Sequence, residues 1–472
     1  SARPTPSAAG GFASSFIGVP AQLGPQRVRF DKPLPAGLAG TLYRNGPARM
    51  QLGQTKYRHW FDGDGMIQAF RLAGQELEHR GRLVQTSRRT LEDEAGRFLW
   101  PGFGTSFADS RPVRKPDDMN VGNISVLPLQ DELLALWEGG SAWRIDPQSL
   151  ATRGRKVFSE ATDGLSFSAH PRRDASGRIW NFGYMGGSGK LVLYELDQRG
   201  KLRQVKLINA PNADMVHDFA VTERYLVFVL MPLHFHKSEQ AGPRSFLEQV
   251  QWDPNGAVEV LLVDKTTLTI SARMQAPPFF AFHFGNAWDD GASVRVEVAR
   301  APDFDALMQT ITQASTGQAG VALGREQAMQ LVLDPLARSV RIEPLPVVGA
   351  EFPRFDQRYT GKRTNHLFMM GEAGARGVRP FGFGQVIAMD RQRGQVLRWD
   401  YPEHVYAEEH VFVPRPGHGE GQGWLLGTAY DPRAARTSLQ VFDAQAVDAG
   451  PIARAQLPYH LPLGLHGQFV TD

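Results

Sequence analysis

The sequence contains no cysteine, which excludes disulfide bonds, thiolate metal sites and cysteine nucleophiles. Histidine and carboxylate are the strong metal-ligand types that remain. No apolar run approaches the roughly 18 residues that a membrane-spanning helix needs. An excess of charge is lacking as well, because 52 Lys and Arg stand against 49 Asp and Glu without a basic block. We therefore expect no nucleic acid among the partners.

Helical signals are scarce too. One convincing helical stretch lies near FDALMQTITQA, whereas 49 Gly and 32 Pro divide the rest of the chain into short strands and turns. A hydrophobic content of 42% supports a large folded core. Only the start of the chain, SARPTPSAAGG, is typical of loose structure. We expect a disordered or extended segment over residues 1–15 and one domain over residues 16–472.

One short pattern recurs along the chain. Two or three apolar residues lead to an Asp, a few turn residues and a second strand, and the Asp side chain suits this place because it caps the turn. The aspartates are Asp146, Asp197, Asp264, Asp334, Asp390 and Asp443. Their spacings of 51 to 70 residues are typical of β-propeller blades with four strands each. A similar unit near Leu72 brings the number to seven, so the sequence predicts an all-β, seven-bladed β-propeller.

Four of the thirteen histidines follow a turn aspartate at a similar distance, between 19 and 24 residues. They are His170, His217, His283 and His466. If this position lies on the innermost strand of each blade, the four imidazoles converge on the propeller axis. Four neutral nitrogens without a thiolate suit a first-row divalent metal such as Fe, Ni, Cu or Zn.

Glutamates occupy the same position in other units. Glu351 and Glu409 follow their turn aspartates by 17 and 19 residues, and Glu138 in ALWEGG is a third candidate. Each could hold the second ring nitrogen of a ligating histidine. His410 falls in the same window as Glu409, and the spacing does not decide which of the two points inward. His466 lies among Leu465, Phe469 and Val470, which predicts a terminal inner strand that closes the ring.

Several stretches resemble one known family. They are GTLYRNGPA, HWFDGDGMI, LLALWEGGSAWRIDP, FSAHPRRD, MVHDFAVTERYLVF, FFAFHFGNAWDDG and LHGQFV. From about Gly40 to the C-terminus the chain is similar to the carotenoid cleavage oxygenases, and most similar to bacterial apocarotenoid-type members. The resemblance implies a seven-bladed propeller with a cap of loops and short helices over a central metal site. It also implies one Fe(II) per chain.

The resemblance assigns roles to individual residues. The iron ligands would be His170, His217, His283 and His466. The glutamates that hold them would be Glu138, Glu351 and Glu409, so the family pattern prefers Glu409 over His410. No further catalytic residue is implied beyond the metal centre. The reaction implied is the insertion of both atoms of O2 across one C=C bond, which gives two carbonyl products.

Departures from the family pattern indicate the substrate. Lignostilbene-cleaving members place a Lys and a Tyr where this sequence has Trp137 and Phe103. Without these polar groups a phenol could not be activated, so an apolar polyene, a carotenoid or apocarotenoid, is the expected substrate. Trp137, Phe103 and Phe284 are predicted to line its tunnel. The alternatives are cleavage of an aryl alkene such as a stilbene or phenylpropene, and a non-cleaving isomerase or ligand-binding propeller.

A hydrophobic substrate suggests a peripheral membrane contact. The candidate segment is LVFVLMPLHF with the insertion that follows it to about Trp252, and simple packing between strands is the alternative interpretation. We expect a cytoplasmic or membrane-surface location. The chain begins with Ser1 rather than Met, which leaves an export signal and a periplasmic location open.

Overall fold

Antiparallel β-sheets arranged as a propeller form the body of the protein. The computed structural model describes residues 11–236, 242–301, 303–318, 327–372 and 381–472. Within them, strands that follow one another in the chain pair with one another in most cases. The all-β propeller class predicted from the turns is confirmed.

Sheets 1 to 3 come from the first half of the chain, with one exception. Sheet 1 contains, in spatial order, Gln22–Arg29, Glu76–Leu83, Asp64–Ala73, Gly40–Arg49 and the C-terminal His466–Thr471. Sheet 2 contains Thr152–Arg155, Trp143–Ile145, Leu133–Leu136 and Ser125–Pro128. Sheet 3 contains Arg172–Arg173, Ile179–Tyr184, Lys190–Leu196 and Leu202–Asn209.

Sheets 4 to 6 follow. Sheet 4 has eight strands, in spatial order Ala220–Val221, Tyr225–Leu230, Val258–Asp264, Ile270–Ala276, Ser339–Val348, Gln327–Asp334, Ser293–Ala301 and Phe280–Asp290. Sheet 5 contains Ala350–Arg354, His366–Gly371, Gln385–Asp390 and Gln395–Asp400. Sheet 6 contains Tyr406–Ala407, Val411–Pro414, Gly423–Asp431, Arg436–Asp443 and Ala453–Gln456. Two small hairpins pair Gln51–Leu52 with Thr55–Lys56 and Leu233–Phe235 with Val250–Trp252.

The prediction of seven blades is wrong. Five sheets of four or five strands stand as separate blades, whereas the strands of sheet 4 form one continuous sheet. Its two antiparallel halves join through a parallel pairing of Gln275 with Ser339, on neighbouring outer strands. Turn spacing identifies the strands of a unit, but it carries no information on whether the outer strands of two units come close enough to pair.

Strand composition follows position in the sheet. Middle strands such as Tyr225–Leu230 are buried at every residue, because neighbouring sheets cover both of their faces. Outer strands such as Ile270–Ala276 alternate between buried and exposed residues, since one face meets solvent. Most of the segment LVFVLMPLHF lies in or next to the buried middle strand Tyr225–Leu230, and Leu226 to Leu233 are buried. Leu226 to Leu233 are therefore interior packing, whereas Phe246 and Leu247 of the insertion are half-buried. Residues 237–241 of the insertion lie outside the described residues, and the membrane contact stays a prediction.

Short helices lie between the strands. The α-helices are Gly11–Ser14, Ser87–Ala95, Phe246–Gln249 and Phe304–Ser315, and the 3₁₀ helices are Trp60–Asp62, Pro116–Asp118, Glu160–Thr162, Gln357–Tyr359 and Val447–Ala449. The predicted helix near residue 304 is confirmed. Asp303 caps it by accepting the Ala306 N–H at 3.0 Å, and Phe304, Leu307 and Ile311 form its buried face.

The N-terminal expectation was wrong over residues 11–15. Gly11–Ser14 is helical, and Phe12 is 3% exposed because its ring packs edge-to-face on Trp60 and Phe381. Ser15 is fully buried. Residues 1–10 lie outside the described residues.

The last strand closes the ring, as its apolar residues predict. His466–Thr471 pairs antiparallel with Gly40–Arg49, in a register that runs from His466 opposite Asn45 to Thr471 opposite Gly40. His466–Thr471 is the edge strand of sheet 1, on the side of the propeller axis. His466 is its first residue and therefore lies at the axis.

The aspartate turns form as predicted. At all six positions one carboxylate oxygen accepts the N–H of the residue two places later, at 2.8–3.1 Å. Asp431 makes the same turn and was missed. Four residues after several of these aspartates the backbone is left-handed, with φ of 54° at Arg338 and 61° at Gly394.

This backbone conformation generates a prediction. Arg338→Gly should raise the free energy of unfolding by about 0.5–1 kcal/mol, since a left-handed φ disfavours a side chain and glycine's extra freedom in the unfolded chain offsets part of the gain. Gly394→Ala at the corresponding turn position should lower it by about 1 kcal/mol. Denaturant unfolding of both variants measures the effect. A destabilised Arg338→Gly would contradict the strain argument.

Candidate metal centre

Four imidazoles converge at the axis of the propeller. His170 and His217 stand just before the inner strands of sheets 3 and 4, His283 lies within an inner strand of sheet 4, and His466 begins the terminal strand. Their ligand atoms all lie within 4.8 Å of one another. The structure thus brings together the four histidines that shared one spacing in the sequence.

The spacing between the nitrogens suits a single metal ion. The Nε2 atom of His217 lies 3.1 Å from that of His170 and 3.2 Å from that of His283. Two imidazole nitrogens that each lie about 2.1 Å from one ion, at about a right angle, are about 3.0 Å apart. A cation between them would replace the repulsion of facing lone pairs with coordination.

Three glutamates hold the other ring nitrogens. Nδ1 of His217 lies 2.9 Å from Glu138 Oε1, Nδ1 of His283 lies 2.7 Å from Glu351 Oε1, and Nδ1 of His466 lies 2.8 Å from Glu409 Oε2. When Nδ1–H donates to a carboxylate, the Nε2 lone pair is left free for a metal. Within the described part of the chain, His170 has no such carboxylate partner.

Burial sets the protonation of the rings. It lowers the pKa of His283 to about 3 and that of His466 to about 4, and in His466 the nearby Glu409 works against this shift. The pKa of His170 is well below its usual value because of burial and the neighbouring imidazoles. Burial also lowers the pKa of His217, but Glu138 together with Asp218 and Glu351 more than offsets it, and the net shift is upward. At least three rings are therefore neutral near neutral pH, the form that binds metal.

The carboxylates differ in their surroundings. Burial would raise the pKa of Glu409, but the Arg354 guanidinium and His466 bring it down to about 2. Nη1 of Arg354 donates to Glu409 Oε1 at 3.0 Å and to the Gly467 carbonyl at 2.9 Å. Within the part of the chain that the structure describes, Glu351 has no arginine of this kind, and burial raises its pKa to about 8.

Glu351 is also held by an unusual backbone. Phe352 has a left-handed φ of 54°, which is rare for an aromatic residue, and its N–H donates to Glu351 Oε1 at 2.7 Å. The Phe352 ring stacks on His283 with centroids 5.5 Å apart and planes 25° apart. The strained turn therefore fixes both the carboxylate and the plane of the imidazole it binds.

The choice between Glu409 and His410 is decided by contacts. His410 points away from the centre, with Nε2 2.8 Å from the Tyr401 hydroxyl and Nδ1 2.7 Å from the Glu408 carbonyl. Glu409 faces His466. Neighbouring side chains of an extended segment point to opposite sides, so only one of the two can reach the axis.

An apolar cavity of about 580 Å³ reaches His217, His283 and His466. Its walls come from loops, from the helices Trp60–Asp62 and Phe304–Ser315, and from an inner strand. They include Phe61, Phe103, Trp137, Phe282, Leu307 and Ile311. Val113 to Pro116 also line it and are exposed, so the cavity meets solvent beside this loop. The volume lies in the usual range of small-molecule sites, roughly 300–1,000 Å³.

Two of the three expected tunnel residues lie in this wall. The Phe103 ring stacks on Phe246 at 5.2 Å, and the Trp137 indole lies over Gly139, where a Cβ would come within 2.9 Å of the ring. Phe284 does not line the cavity, and that prediction is wrong; Phe282 lines it instead. The strand changes register between Ala281 and His283, so the side-chain alternation assumed from the sequence breaks there.

Several functional side chains escaped the sequence analysis. Tyr184 donates its hydroxyl to Glu138 Oε2 at 2.7 Å, and Arg354 binds Glu409. Asp62 of FDGDGM holds the loop that carries Phe103, because its carboxylate accepts the Gly104 N–H at 2.7 Å. The Asp-Gly-Asp-Gly sequence of Asp62 to Gly65 was the available signal for Asp62. Tyr184 and Arg354 carried none, since each acts on a residue far away in the chain.

Comparison with known proteins identifies the family of this chain. The family model described as retinal pigment epithelial membrane protein matches residues 27–471. The apocarotenoid-15,15′-oxygenase of Synechocystis sp. is 30% identical over 457 residues, which cover 92% of this chain and 91% of that protein. The chain belongs to this carotenoid oxygenase family. It is accordingly an enzyme, an oxidoreductase.

Two further similarities refine the picture of this carotenoid oxygenase. The isoeugenol monooxygenase of Pseudomonas nitroreducens is 27% identical over 452 residues, with 93% of each chain covered. The crystal structure of cobalt-substituted Synechocystis apocarotenoid oxygenase superposes with a TM-score of 0.88 at 27% identity, and it covers 100% of both chains. A metal-substituted neighbour and four convergent imidazoles together support a single metal site.

The carboxylate–imidazole contacts generate a prediction with an internal control. Glu409→Ala should weaken binding of Co²⁺ to the metal-free protein by about 10- to 100-fold, because His466 loses the acceptor that orients it. Glu420→Ala removes a carboxylate 2.8 Å from Nδ1 of the distant His366 and should leave the affinity unchanged. Competition with a coloured chelator measures both. Equal affinities in the two variants would contradict the role of Glu409.

Proposed function

We propose that the chain is a non-haem Fe(II) dioxygenase that cleaves one C=C bond of an apocarotenoid or carotenoid, with O2 as co-substrate and two carbonyl products. The observation that carries the proposal is the position of the apolar cavity. Its wall includes three of the four convergent imidazoles, so an elongated apolar molecule within it would lie against the metal.

The donor set fits iron. Four histidine nitrogens without thiolate suit Fe(II), and the carboxyl groups of Glu138, Glu351 and Glu409 behind them would offset the charge of the ion. The ligands would be His170, His217, His283 and His466, with one Fe(II) per chain. Bound iron would supply the redox chemistry that lets both oxygen atoms of O2 enter across the double bond.

The protein's own residues would bind and orient the substrate. The aromatic walls exclude water and hold a rigid polyene at one depth, so that a chosen double bond lies beside the imidazoles. Phe103 and Trp137 offer the substrate no group that could take a phenolic proton, which favours a hydrocarbon chain over a phenol. No side chain is required as a general acid or base, because no proton is transferred in the overall reaction.

A second candidate is cleavage of an aryl alkene. It is supported by the similarity to an isoeugenol monooxygenase over nearly the whole chain. Tyr184 lines the cavity, and its hydroxyl is the group that would contact a phenolic substrate. That hydroxyl already donates to Glu138. We therefore rank aryl-alkene cleavage behind polyene cleavage.

One experiment separates the two substrate classes. Iron-loaded protein is incubated with an apocarotenal and with a hydroxystilbene under isotopically labelled O2. We expect loss of the long-wavelength absorption of the apocarotenal and label in both carbonyl products, as a dioxygenase requires. Cleavage of the stilbene alone would overturn the proposal, and an isomerised polyene without label would indicate an isomerase.

The ligand assignment has its own test. His466→Ala should lose iron and activity, because one of four ligands is removed from a buried site. His418→Ala, an exposed histidine in a turn of sheet 6, should retain both. Elemental analysis after desalting measures iron per chain. Full iron occupancy in His466→Ala would contradict the assignment.

No helix of the described residues is long and apolar enough to cross a membrane. A cytoplasmic or membrane-surface location stays a prediction. Entry of a hydrophobic substrate beside Val113, which is 42% exposed at the mouth of the cavity, is consistent with it.

A further inference from the structure

Two adjacent carboxylates hold the segment that delivers His466. Glu409 binds the His466 ring and also accepts the Gly467 N–H at 3.1 Å. Glu408 reaches the same segment on the other side of the ligand, where its Oε1 accepts the Gly464 N–H at 3.2 Å. The main chain is therefore tied to sheet 6 both before and after His466.

Glu408 is itself held firmly. Its Oε2 accepts the Thr428 hydroxyl at 2.6 Å and lies 2.9 Å from Nη2 of Arg44, in an ion-pair contact. Arg44, Glu408 and Thr428 are all buried. Arg44 lies opposite Gly467 on the strand that pairs with the terminal strand, and its Nη1 donates to the Glu409 carbonyl at 3.0 Å. One arginine, on the strand next to the terminal strand, thus contacts the Glu408 carboxylate and the Glu409 main-chain carbonyl.

The segment between these ties has little freedom. Leu465 N–H donates to the Asn45 carbonyl at 2.9 Å, and a Cβ on Gly46 would lie 2.2 Å from the Gly464 Cα. The two backbones are therefore in direct contact just before the ligand. A shift at Gly464 would be passed on to His466 two residues later.

We propose that Glu408 is a positioning residue of the metal centre: with Arg44 it holds Gly464 so that the His466 imidazole enters the cluster at the depth needed to bind the ion. The partners of Glu408 are Gly464, Thr428 and Arg44, so its effect on the centre is transmitted through the main chain. A buried ion pair of this kind contributes little net stability compared with apolar residues of the same volume, whereas it restricts geometry. The inference rests on the proposed metal site.

The test measures metal binding rather than turnover. Metal-free Glu408→Ala should bind Co²⁺ and Fe²⁺ about tenfold more weakly than the unchanged protein. This is the lower end of the roughly 10- to 100-fold loss of affinity that follows removal of a hydrogen-bond partner of a metal ligand. The visible absorption bands of its Co²⁺ form should also change, because the coordination geometry relaxes. Glu408→Gln retains an oxygen for the Gly464 N–H and should recover most of the affinity.

A matched control separates positioning from general destabilisation. Glu195 is a buried carboxylate of sheet 3 that binds Arg178 at 3.1 Å, away from the terminal segment. Glu195→Ala should bind Co²⁺ with unchanged affinity and an unchanged spectrum, even if its thermal unfolding temperature falls as far as that of Glu408→Ala.

Unchanged affinity and spectrum in folded Glu408→Ala would overturn the inference, whereas absence of metal binding in the unchanged protein would overturn the proposed function. If Glu408→Ala does not fold, the double variant Arg44→Met/Glu408→Met replaces the ion pair with apolar side chains of similar size and takes its place. Normal metal affinity in that variant would overturn the inference as well.

Discussion

The pairing of the last strand with Gly40–Arg49 is the interaction on which the rest of the structure depends. It closes the ring of sheets, and by the same hydrogen bonds it brings His466 to the axis. Fold closure and metal-site assembly are therefore one event, because the ligand is the first residue of the closing strand. The ring cannot close in a different register without moving His466 away from the other three imidazoles.

The centre is made of charges that the protein buries and then neutralises locally. Three glutamates are each bonded to one imidazole, and two of them, Glu351 and Glu409, are buried. Each is handled differently: Glu409 has an arginine, Glu138 has the Tyr184 hydroxyl, and Glu351 has a strained N–H beside it. Burial of ionised groups without partners is very costly in free energy. A divalent cation bound to the facing imidazole nitrogens would balance the negative charge of the carboxylates.

Polar and apolar functions are separated around that centre. Hydrogen bonds to Glu138, Glu351 and Glu409 orient the imidazoles, whereas most of the cavity wall is formed by aromatic and aliphatic side chains. This division is suited to a reaction in which the metal supplies the chemistry and the protein supplies the alignment.

The sequence by itself determined the propeller class, the capped aspartate turns and the four histidines, because each depends on local chemistry repeated at a regular interval. The sequence also made Glu138, Glu351 and Glu409 candidate partners of the ligands, and the family resemblance preferred Glu409 over His410. The tertiary structure alone decided that the strands of sheet 4 form one sheet, that Phe282 and not Phe284 faces the cavity, and that Arg354, Tyr184 and Glu408 support the centre. These features depend on the distance between strands that are far apart in the chain, and on where the side chains of a strand stop alternating between its two faces. Both are set by tertiary packing, which the spacing of residues along the chain does not predict.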